Sequence, residues 1–351
     1  MQFHLYHFKN HKEKSLTFSD NLQLVVGDNG SGKSTLCEAL TLLTNTANPH
    51  HTNWAQKCSF HETDWALRWQ IGEKLFQGIF DGKTVSPKWY IDEGSVSKPK
   101  FQITMPYRAF WIQSDHLRVI SGEPTERRAF FDEMIAYAHP EYEKIVRDYR
   151  TSLTARNRVI QSILAGDAKK SDLNPWNTLF VEQAIKMILE RRKFFTWFES
   201  QPIIELDLPG PVKIVLEERH KLETLTVETF SDFMREYLDR DLIVGRTTIG
   251  PHLDDIGFYV RENDSWMLTK YILSRGENKT LLLSCIRTIG RYVEEISGKK
   301  PLFLLDDVLS ELDTRHTDIL CELFKDSMTL MTTQPNHTSG LPGDIHRIEL
   351  M

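Results

Sequence analysis

Nine consecutive residues near the N-terminus have the types and the spacing needed to hold phosphate groups. The first eight of them, residues 27–34, match the pattern Gly-x-x-x-x-Gly-Lys-[Ser/Thr], in which a glycine-rich turn leads into a helix. Glycines let backbone N–H groups turn inward around phosphates, and the positive end of the helix dipole favours an anion there. The predicted phosphate-binding residues are Gly27, Asp28, Asn29, Gly30, Ser31, Gly32, Lys33, Ser34 and Thr35.

Two side chains of this loop have distinct predicted roles. Lys33 is expected to reach the β- and γ-phosphates of a nucleotide triphosphate, and the Ser34 hydroxyl is expected to ligate Mg²⁺. The flanking residues agree, because the apolar run 21–26 predicts a buried strand and residues 36–40 predict the start of a helix. The sequence therefore predicts ATP and Mg²⁺ as cofactors.

An apolar strand that ends in two carboxylates, residues 302–307, supplies the second half of such a site. Asp306 is expected to hold the Mg²⁺ shell opposite Ser34, and Asp307 is expected to lie nearest the attacking water. A strand of this kind is common by itself, but the tetrad 310–313 follows it at once, as the D-loop does in ABC-type ATPases. We therefore interpret residues 302–307 as a Walker B strand.

A third segment places Ser274 and Gly276 just before a predicted helix that runs from Leu281 to Ile296. A Ser-x-Gly at a helix start offers a hydroxyl, free N–H groups and a positive dipole end to an anion. In chain order with the other two segments it has the layout of an ABC signature motif. Such a motif caps the γ-phosphate of a nucleotide bound to a second subunit, so the sequence predicts an ATP-sandwiching homodimer.

Composition narrows the class of protein. The 351 residues can bury a large core, and the formal net charge of −6 argues against a globally basic nucleic-acid binder while leaving room for a local basic groove. The 4 cysteines form no Cys-x-x-Cys pair, which favours a reducing compartment. We find no signal peptide and no apolar stretch long enough for a membrane span, so we expect a cytoplasmic protein with no membrane partner.

The order of predicted elements indicates an α/β fold with two lobes. Residues 65–112 have the pattern of an antiparallel meander, residues 126–161 and 176–198 have helical spacing, and residues 211–260 return to β-like alternation. We predict an ABC-type ATPase head, with a mixed sheet that carries the phosphate loop and Walker B strand, from residues 1–115 and 240–351. Residues 116–239 are predicted to form a helical second lobe with a short helical hairpin.

Five strings of the sequence resemble the RecF family of bacterial recombination mediators and DNA gap-repair ATPases. Two of them, residues 248–255 and 304–313, are highly specific, and the resemblance covers nearly the whole length. The strings are residues 27–35, residues 117–124 with Arg127, Arg128, Phe131 and Asp132, residues 248–255, residues 274–280 and residues 304–313.

The resemblance implies a function and a set of partners. It implies ATP-dependent dimerisation, binding of single-stranded, double-stranded or gapped DNA across the dimer cleft, and slow ATP hydrolysis that acts as a switch. It also implies roles in recombinational gap repair, replication and the SOS response, together with recombination mediator proteins. The alternative that we keep open is an ABC-type nucleotide-sensing ATPase with a protein partner and no DNA role, which the acidic balance favours slightly.

Several positions depart from the family pattern. The signature is Ser274-Arg275-Gly276-Glu277, where the family usually has Ser-Gln-Gly-Gln, and Glu277 adds a negative charge near the expected γ-phosphate. Gln113 lies where the catalytic glutamine of a Q-loop is expected, although the family tends to show a different string there. Asp307 is one methylene shorter than the glutamate of most ABC ATPases, which predicts slow hydrolysis.

Two groups of charged residues have more than one interpretation. His252 and Asp255 could be catalytic or could brace the junction of the lobes through hydrogen bonds, and we favour the brace. Arg127 and Arg128 could reach DNA or nucleotide, or could belong to a solvated helix start. The run 191–193 could follow phosphates, although charge runs on helices usually form solvated faces.

Overall fold

The computed structural model describes residues 1–48, 53–202, 208–338, 341–343 and 345–350. The chain divides into two compact units. Met1–Leu117 and Arg275–Met351 form the first, and Arg118–Ser274 forms the second. The first unit is therefore discontinuous in sequence, and the second is inserted into it.

The described part of the chain contains three β-sheets. Two of them lie in the first unit and one lies in the second. The strands are β1 (Gln2–Phe8), β2 (His11–Thr17), β3 (Leu22–Gly27), β4 (Trp65–Ile71), β5 (Lys74–Phe80), β6 (Lys88–Ile91), β7 (Gly94–Val96), β8 (Tyr107–Gln113), β9 (Val212–Glu217), β10 (Asp255–Glu262), β11 (Ser265–Leu268), β12 (Lys300–Asp306), β13 (Thr329–Thr333) and β14 (His346–Leu350).

Helices of very different length connect these strands. No helix in the described residues is both long enough and apolar enough to cross a membrane. The α-helices are α1 (Lys33–Asn45), α2 (Lys98–Thr104), α3 (Pro124–Ala138), α4 (Pro140–Ala165), α5 (Asn174–Glu199), α6 (Val227–Glu236), α7 (Leu238–Val244), α8 (Thr269–Ile272), α9 (Arg275–Ser297) and α10 (Thr314–Phe324).

The first unit contains a six-stranded antiparallel sheet in the order β2-β1-β4-β5-β6-β7. The predicted meander corresponds to β4 through β7, whose strands are joined by short turns at residues 72–73 and 92–93. The prediction extended this meander to residue 112. The structure instead places α2 after β7, and this helix lets β8 leave the meander and join a second sheet.

That second sheet is five-stranded and parallel, in the order β14-β3-β13-β12-β8. Its three central strands are buried along most of their length, which is typical of a parallel sheet covered on both faces. Because all five strands run the same way, their carboxyl ends meet at one edge. The phosphate loop follows β3 at this edge, and the Walker B carboxylates end β12 there.

Helix α1 lies between the two sheets of the first unit. It contacts β1 and β5 of the antiparallel sheet and β3, β8, β12 and β13 of the parallel sheet. It is buried on nearly every side, with 11 of its 13 residues buried, as a helix with sheets on both sides requires. The common core includes Phe3 and Trp69 from the antiparallel sheet, Leu40 from α1, and Leu304 from β12. The helix that follows the phosphate loop is thus fixed by packing along its whole length.

The second unit combines a three-stranded sheet, in the order β11-β10-β9, with a helical hairpin. Helices α4 and α5 pack against each other and are each 26 residues long, and α4 ends at Gly166, which has a φ of 84°. Phe131 of α3 contacts Phe195 of α5 and Phe258 of β10. The predicted helical hairpin is therefore present, with a break at His139-Pro140 that separates α3 from α4.

Buried ion pairs also hold the second unit together. Arg191 of α5, which is 2% exposed, donates through Nε and Nη2 to both carboxylate oxygens of Asp132, each at 2.9 Å. Its Nη1 donates to the carbonyl of Pro251 at 2.6 Å and lies 3.5 Å from Asp254 Oδ2. Arg156 of α4 forms a buried pair with Asp241 at 2.7 Å. These pairs join α3, α4 and α5 to the segment that enters β10.

The boundary between the units differs from the predicted one at one place. Residues 240–274, which we assigned to the first lobe from the sequence, lie in the second unit. Strand β10 pairs along its length with β9, and Asp241 pairs with Arg156, so this segment is hydrogen-bonded to the second unit. The sequence pattern showed the strand but not which partner strand it would have.

Arg191→Met tests the energetic role of the buried ion cluster. Removing the guanidinium leaves Asp132 buried without its partner, so we expect a loss of about 3–5 kcal/mol in the free energy of unfolding. The matched control is Lys193→Met on the same helix, because Lys193 is largely exposed and pairs with Glu190, and exposed pairs contribute about 0–1 kcal/mol. Urea unfolding of both variants checks this. Equal losses in the two variants would contradict it.

Candidate nucleotide-binding site

The phosphate loop connects the end of β3 to the start of α1. Ser31 N donates to the carbonyl of Asp28 at 3.1 Å, which closes a turn, and Leu36 N donates to the carbonyl of Gly32 at 2.9 Å, which begins the helix. Gly32 has a φ of 96°, and no side chain caps the N-terminus of α1. The first N–H groups of this helix are therefore directed into the loop without a side-chain acceptor, as an anion site requires.

The Lys33 side chain folds back into the loop. Its Nζ donates to the carbonyl of Gly27 at 2.7 Å and to the carbonyl of Asp28 at 2.9 Å, and the residue is buried. The Ser31 hydroxyl oxygen is also buried and has no hydrogen-bond partner in the described part of the chain. A buried ammonium and a buried hydroxyl within one loop are suited to phosphate oxygens, which accept from both.

Asp306 is held by donors from two directions. Its Oδ1 accepts from Thr332 Oγ1 at 2.8 Å, and its Oδ2 accepts from Trp111 Nε1 at 3.3 Å. Trp111 belongs to β8 and Thr332 to β13, the two strands that flank β12. The carboxylate is buried, and its orientation is set by the sheet. Each oxygen keeps a further lone pair for a cation.

Asp307 adopts an unusual backbone conformation. Its φ is 55°, in the left-handed region, where non-glycine residues are uncommon and aspartate is one of the tolerated types. Its backbone N–H donates to Thr332 Oγ1 at 3.0 Å, so the threonine hydroxyl contacts both carboxylate residues. One carboxylate oxygen of Asp307, Oδ1, is buried and has no hydrogen-bond partner in the described residues.

Gln113 lies at the same edge of the sheet as these carboxylates. It ends β8 and is directly in register with Asp306 on the neighbouring strand. Its backbone N–H donates to His116 Nδ1 at 3.0 Å, which fixes the turn after the strand. The structure therefore brings together four of the predicted features: the phosphate loop, Asp306, Asp307 and Gln113.

The part of the signature segment that starts helix α9, from Arg275 onward, lies in the first unit. Helix α9 begins at Arg275, and the nearest atoms to a Cβ built at Gly276 all belong to the imidazole of His316, the closest at 3.1 Å. The position of His316 is fixed by the D-loop residue Asp313. The Oδ1 of Asp313 lies 2.7 Å from His316 Nδ1 and accepts a hydrogen bond from His316 N at 2.9 Å. Gly276 thus allows the start of α9 to approach α10 closely, next to the D-loop.

The charged residues of the string 248–255 make hydrogen bonds within the second unit. Asp255 accepts from Arg127 Nε and Nη2, both at 2.8 Å, and Arg128 Nη1 donates to the carbonyl of Asp254 at 2.5 Å. His252 Nδ1 lies 2.6 Å from the Tyr149 hydroxyl. These contacts connect α3 and α4 to the start of β10, which favours a bracing role within this unit over a catalytic one.

Three functional side chains were not found from the sequence. Thr332 and Trp111 orient Asp306 but lie in other strands, and Asn10 contacts the phosphate loop from the β1–β2 turn, with Nδ2 at 3.0 Å from the carbonyl of Gly30. Each contact joins residues distant in sequence, so no local spacing could have revealed it. For Thr332, the available signal was the pair of threonines that ends the strand β13.

Comparisons with known proteins agree with this geometry. A family model described as an AAA domain matches residues 2–66. The DNA replication and repair protein RecF of Leptospira interrogans is 27% identical over 321 residues, which cover 90% of this chain and 86% of that relative. The protein of the same name from Lactococcus lactis subsp. cremoris is 27% identical over 366 residues, covering 98% of this chain and 95% of that relative. The chain is similar to RecF proteins over nearly its whole length.

A solved structure of RecF shows the same fold. It is described as the recombination mediator protein RecF-ATPrS in the RecFOR pathway, and it matches with a TM-score of 0.79 and 20% identity. The match covers 100% of this chain and 95% of that chain. The resemblance to the RecF family and the α/β fold with an ATPase-type head, both predicted from the sequence, are thereby confirmed.

His252 and Asp254, both within the string 248–255, change the free energy of unfolding in opposite directions as pH rises. Burial lowers the pKa of His252 to about 4, and burial raises the pKa of Asp254 to about 6, against the opposing effect of Arg191. Between pH 4 and 6 the unfolded chain binds more protons at His252, whereas the folded chain binds more at Asp254. Stability therefore rises with pH through His252 and falls with pH through Asp254.

Two substitutions should separate these contributions. Relative to the unsubstituted protein, Asp254→Asn should become more stable as pH rises from 4 to 6, and His252→Gln should become less stable. Each slope is limited to about 1.4 kcal/mol per pH unit for a single proton. Unfolding free energies measured at several pH values check both signs. Parallel profiles for the three proteins would contradict the assignment.

Proposed function

We propose that this chain is an ATP-dependent DNA-binding protein of RecF type that dimerises around ATP and hydrolyses it slowly. The observation that carries the proposal is the convergence of the phosphate loop, Asp306, Asp307 and Gln113 at the carboxyl edge of one parallel sheet. Relatives that match over about nine-tenths of this chain or more are named DNA replication and repair proteins, which supports roles in recombinational gap repair, replication and the SOS response.

The nucleotide phosphates would bind to residues 27–35. Lys33 would exchange its two carbonyl acceptors for β- and γ-phosphate oxygens, and the N–H groups at the start of α1 would donate to the same anion. The unpaired hydroxyl of Ser31 gives this loop one more donor. The exchange leaves the ammonium satisfied in both states, so the loop can bind and release the nucleotide without leaving a buried cation unpaired.

The residues present also fit Mg²⁺. Ser34 and Asp306 offer a hydroxyl and a carboxylate, the oxygen ligands that this hard cation prefers, and Asp307 Oδ1 is a further buried oxygen that no described residue hydrogen-bonds. When bound, Mg²⁺ would neutralise charge on the β- and γ-phosphates. Thr332 and Trp111 would keep the Asp306 carboxylate in place.

Asp307 and Gln113 would position the attacking water. The carboxylate of Asp307 is the nearest candidate for accepting its proton, and its left-handed backbone, tied to Thr332, holds the side chain at the end of the strand. Because an aspartate is one methylene shorter than glutamate, we expect slow hydrolysis, which suits a switch better than a turnover enzyme.

A second subunit would complete the site. Ser274 and Gly276 would cap the γ-phosphate of ATP bound to the partner copy, at the N-terminal end of α9. The packing of Gly276 on His316, which is bonded to Asp313, links this signature to the D-loop of the same subunit. Signature and D-loop would therefore approach the partner together.

One observation favours the alternative function. Arg127, Arg191 and Arg192, three of the arginines that could have followed a DNA backbone, are paired with carboxylates of the same unit. DNA would have to be bound by other basic residues of a chain whose net charge is −6. A nucleotide-sensing ATPase whose ligand is a protein, such as a recombination mediator protein, would need no such surface.

DNA binding measured with a fluorescent gapped duplex, with and without ATP, distinguishes the two functions. We expect tighter binding with ATP, weaker binding at higher salt because phosphate contacts release counterions, and no ATP effect in Lys33→Met. Single-stranded and fully paired DNA of the same length show which form is preferred. Absence of binding under every condition would reject the DNA role and favour the protein partner.

Ser274→Arg tests the signature assignment. The bulky cation should block ATP-driven dimerisation while ATP binding to the single subunit remains, because the signature acts on the nucleotide of the partner. Ser231→Arg, at an exposed serine of α6, controls for the added size and charge. Light scattering after size-exclusion chromatography measures the dimer, and a fluorescent ATP analogue measures binding. Unchanged dimerisation of Ser274→Arg would mean that the signature is assigned to the wrong residues.

A further inference from the structure

The geometry points to Asn10, between β1 and β2, and His11, the first residue of β2, as positioning residues that hold the phosphate loop in its ATP-binding conformation. Together with Lys9 they form the β1–β2 turn. This inference rests on the proposed nucleotide site. Neither residue belongs to the nine-residue loop, and both lie about 20 residues before it in the chain. They act through the backbone of the loop.

Each of the two side chains bonds a different carbonyl of the loop. Asn10 Nδ2 donates to the carbonyl of Gly30 at 3.0 Å, and His11 Nε2 lies 3.2 Å from the carbonyl of Gly32. Because a carbonyl only accepts, His11 Nε2 must carry the proton. Burial lowers the pKa of His11, which favours the neutral ring with this single N–H.

Holding these carbonyls also orients the next amides. A trans peptide is planar, so its C=O and the N–H that follows point in opposite directions. The carbonyl of Gly32 is shared between Leu36 N and His11 Nε2, and its direction sets that of the Lys33 N–H at the N-terminal end of α1. The same argument applies to Gly30 and to the N–H of Ser31, which closes the turn with Asp28 at 3.1 Å.

The packing between turn and loop is direct. A Cβ built at Gly32 would overlap the His11 imidazole and would lie 2.8 Å from Asn10 Nδ2. Two features therefore require glycine at position 32: its φ of 96° and the space that these two side chains occupy. The turn leaves the loop little freedom to move toward it.

The turn is itself anchored on the helix that follows the loop. Lys9 N donates to the carbonyl of Lys57 at 2.7 Å, and Ser59 Oγ donates to the carbonyl of His11 at 3.1 Å. The side chains of Lys9 and Lys57 both form ion pairs with Glu38 of α1, and Lys57 and Glu38 are almost completely buried. Shifting the turn relative to α1 would break the ion pair of Lys9 with the buried Glu38 and the backbone bond of Lys9 to Lys57, so the turn can act as a fixed support.

A support of this kind should affect the affinity for ATP more than the chemical step. Without the donors the loop samples more conformations, and ATP binding must select the productive one. This weakens binding of the ground state and of the transition state equally. The loss of one neutral hydrogen bond corresponds to about a fivefold weaker affinity. At saturating ATP the loop is held by the phosphates, so dimerisation and hydrolysis should remain.

The experiment compares substitutions that keep the volume and change only the donor. His11→Phe and Asn10→Leu remove the donors, His11→Gln keeps an N–H donor at a similar reach, and His4→Phe is the control on the same hairpin, where His4 bonds Ser15 far from the loop. The dissociation constant of a fluorescent ATP analogue is measured for each variant, together with thermal unfolding without nucleotide and dimer formation at saturating ATP.

We expect about fivefold weaker ATP binding for His11→Phe and for Asn10→Leu, recovery in His11→Gln, and no change in His4→Phe. Dimer formation at saturating ATP should be retained in all of them. Wild-type affinity in both donor-free variants would overturn the positioning role while leaving the nucleotide site intact. Equal weakening in His11→Gln and His11→Phe would also overturn it, since packing alone would then explain the loss. Failure of the unsubstituted protein to bind ATP, with Lys33→Met indistinguishable from it, would instead reject the nucleotide site itself.

Discussion

The hydroxyl of Thr332 connects the two carboxylate residues on which the candidate site depends. It donates to Asp306 and accepts from the backbone of Asp307, and it lies on β13, between the strand that leads into the phosphate loop and the strand that carries both aspartates. The parallel register of β3, β13 and β12 therefore sets the separation of loop and carboxylates, and Trp111 fixes the other side of Asp306 from β8. A one-residue slip would turn the side chains of a strand to the opposite face and break both contacts.

Both units combine apolar packing with buried ion pairs. The first buries most of α1 between two sheets and pairs Glu38 of this helix with Lys57. The second relies on Arg191 and Arg156, whose buried guanidinium groups join its helices to the segment before β10. Apolar packing stabilises without direction, whereas a buried ion pair allows one arrangement because any other leaves a charge unpaired.

Much of the fold and of the site could be predicted because the informative patterns are local. The phosphate loop, the Walker B strand and the helical hairpin are each contiguous, and the structure contains an α/β head and a hairpin of helices as expected. Contacts between distant strands have no such pattern, so Thr332 and the β1–β2 turn were not found, and residues 240–274 were assigned to the other unit. Strand pairing is decided by partners far away in sequence, which alternation of polar and apolar residues does not identify.

The partners of Lys33 explain why the support of the loop matters for binding. The ammonium is already hydrogen-bonded by two carbonyls of its own loop. The free energy gained when phosphate binds is therefore only the difference between hydrogen bonds to phosphate oxygens and hydrogen bonds to those carbonyls. With this modest gain, the free energy of binding is sensitive to how much order the loop must acquire. A loop held by Asn10, His11 and the helix start requires little further ordering. Preorganisation by the β1–β2 turn is therefore one way in which residues outside the loop can raise nucleotide affinity.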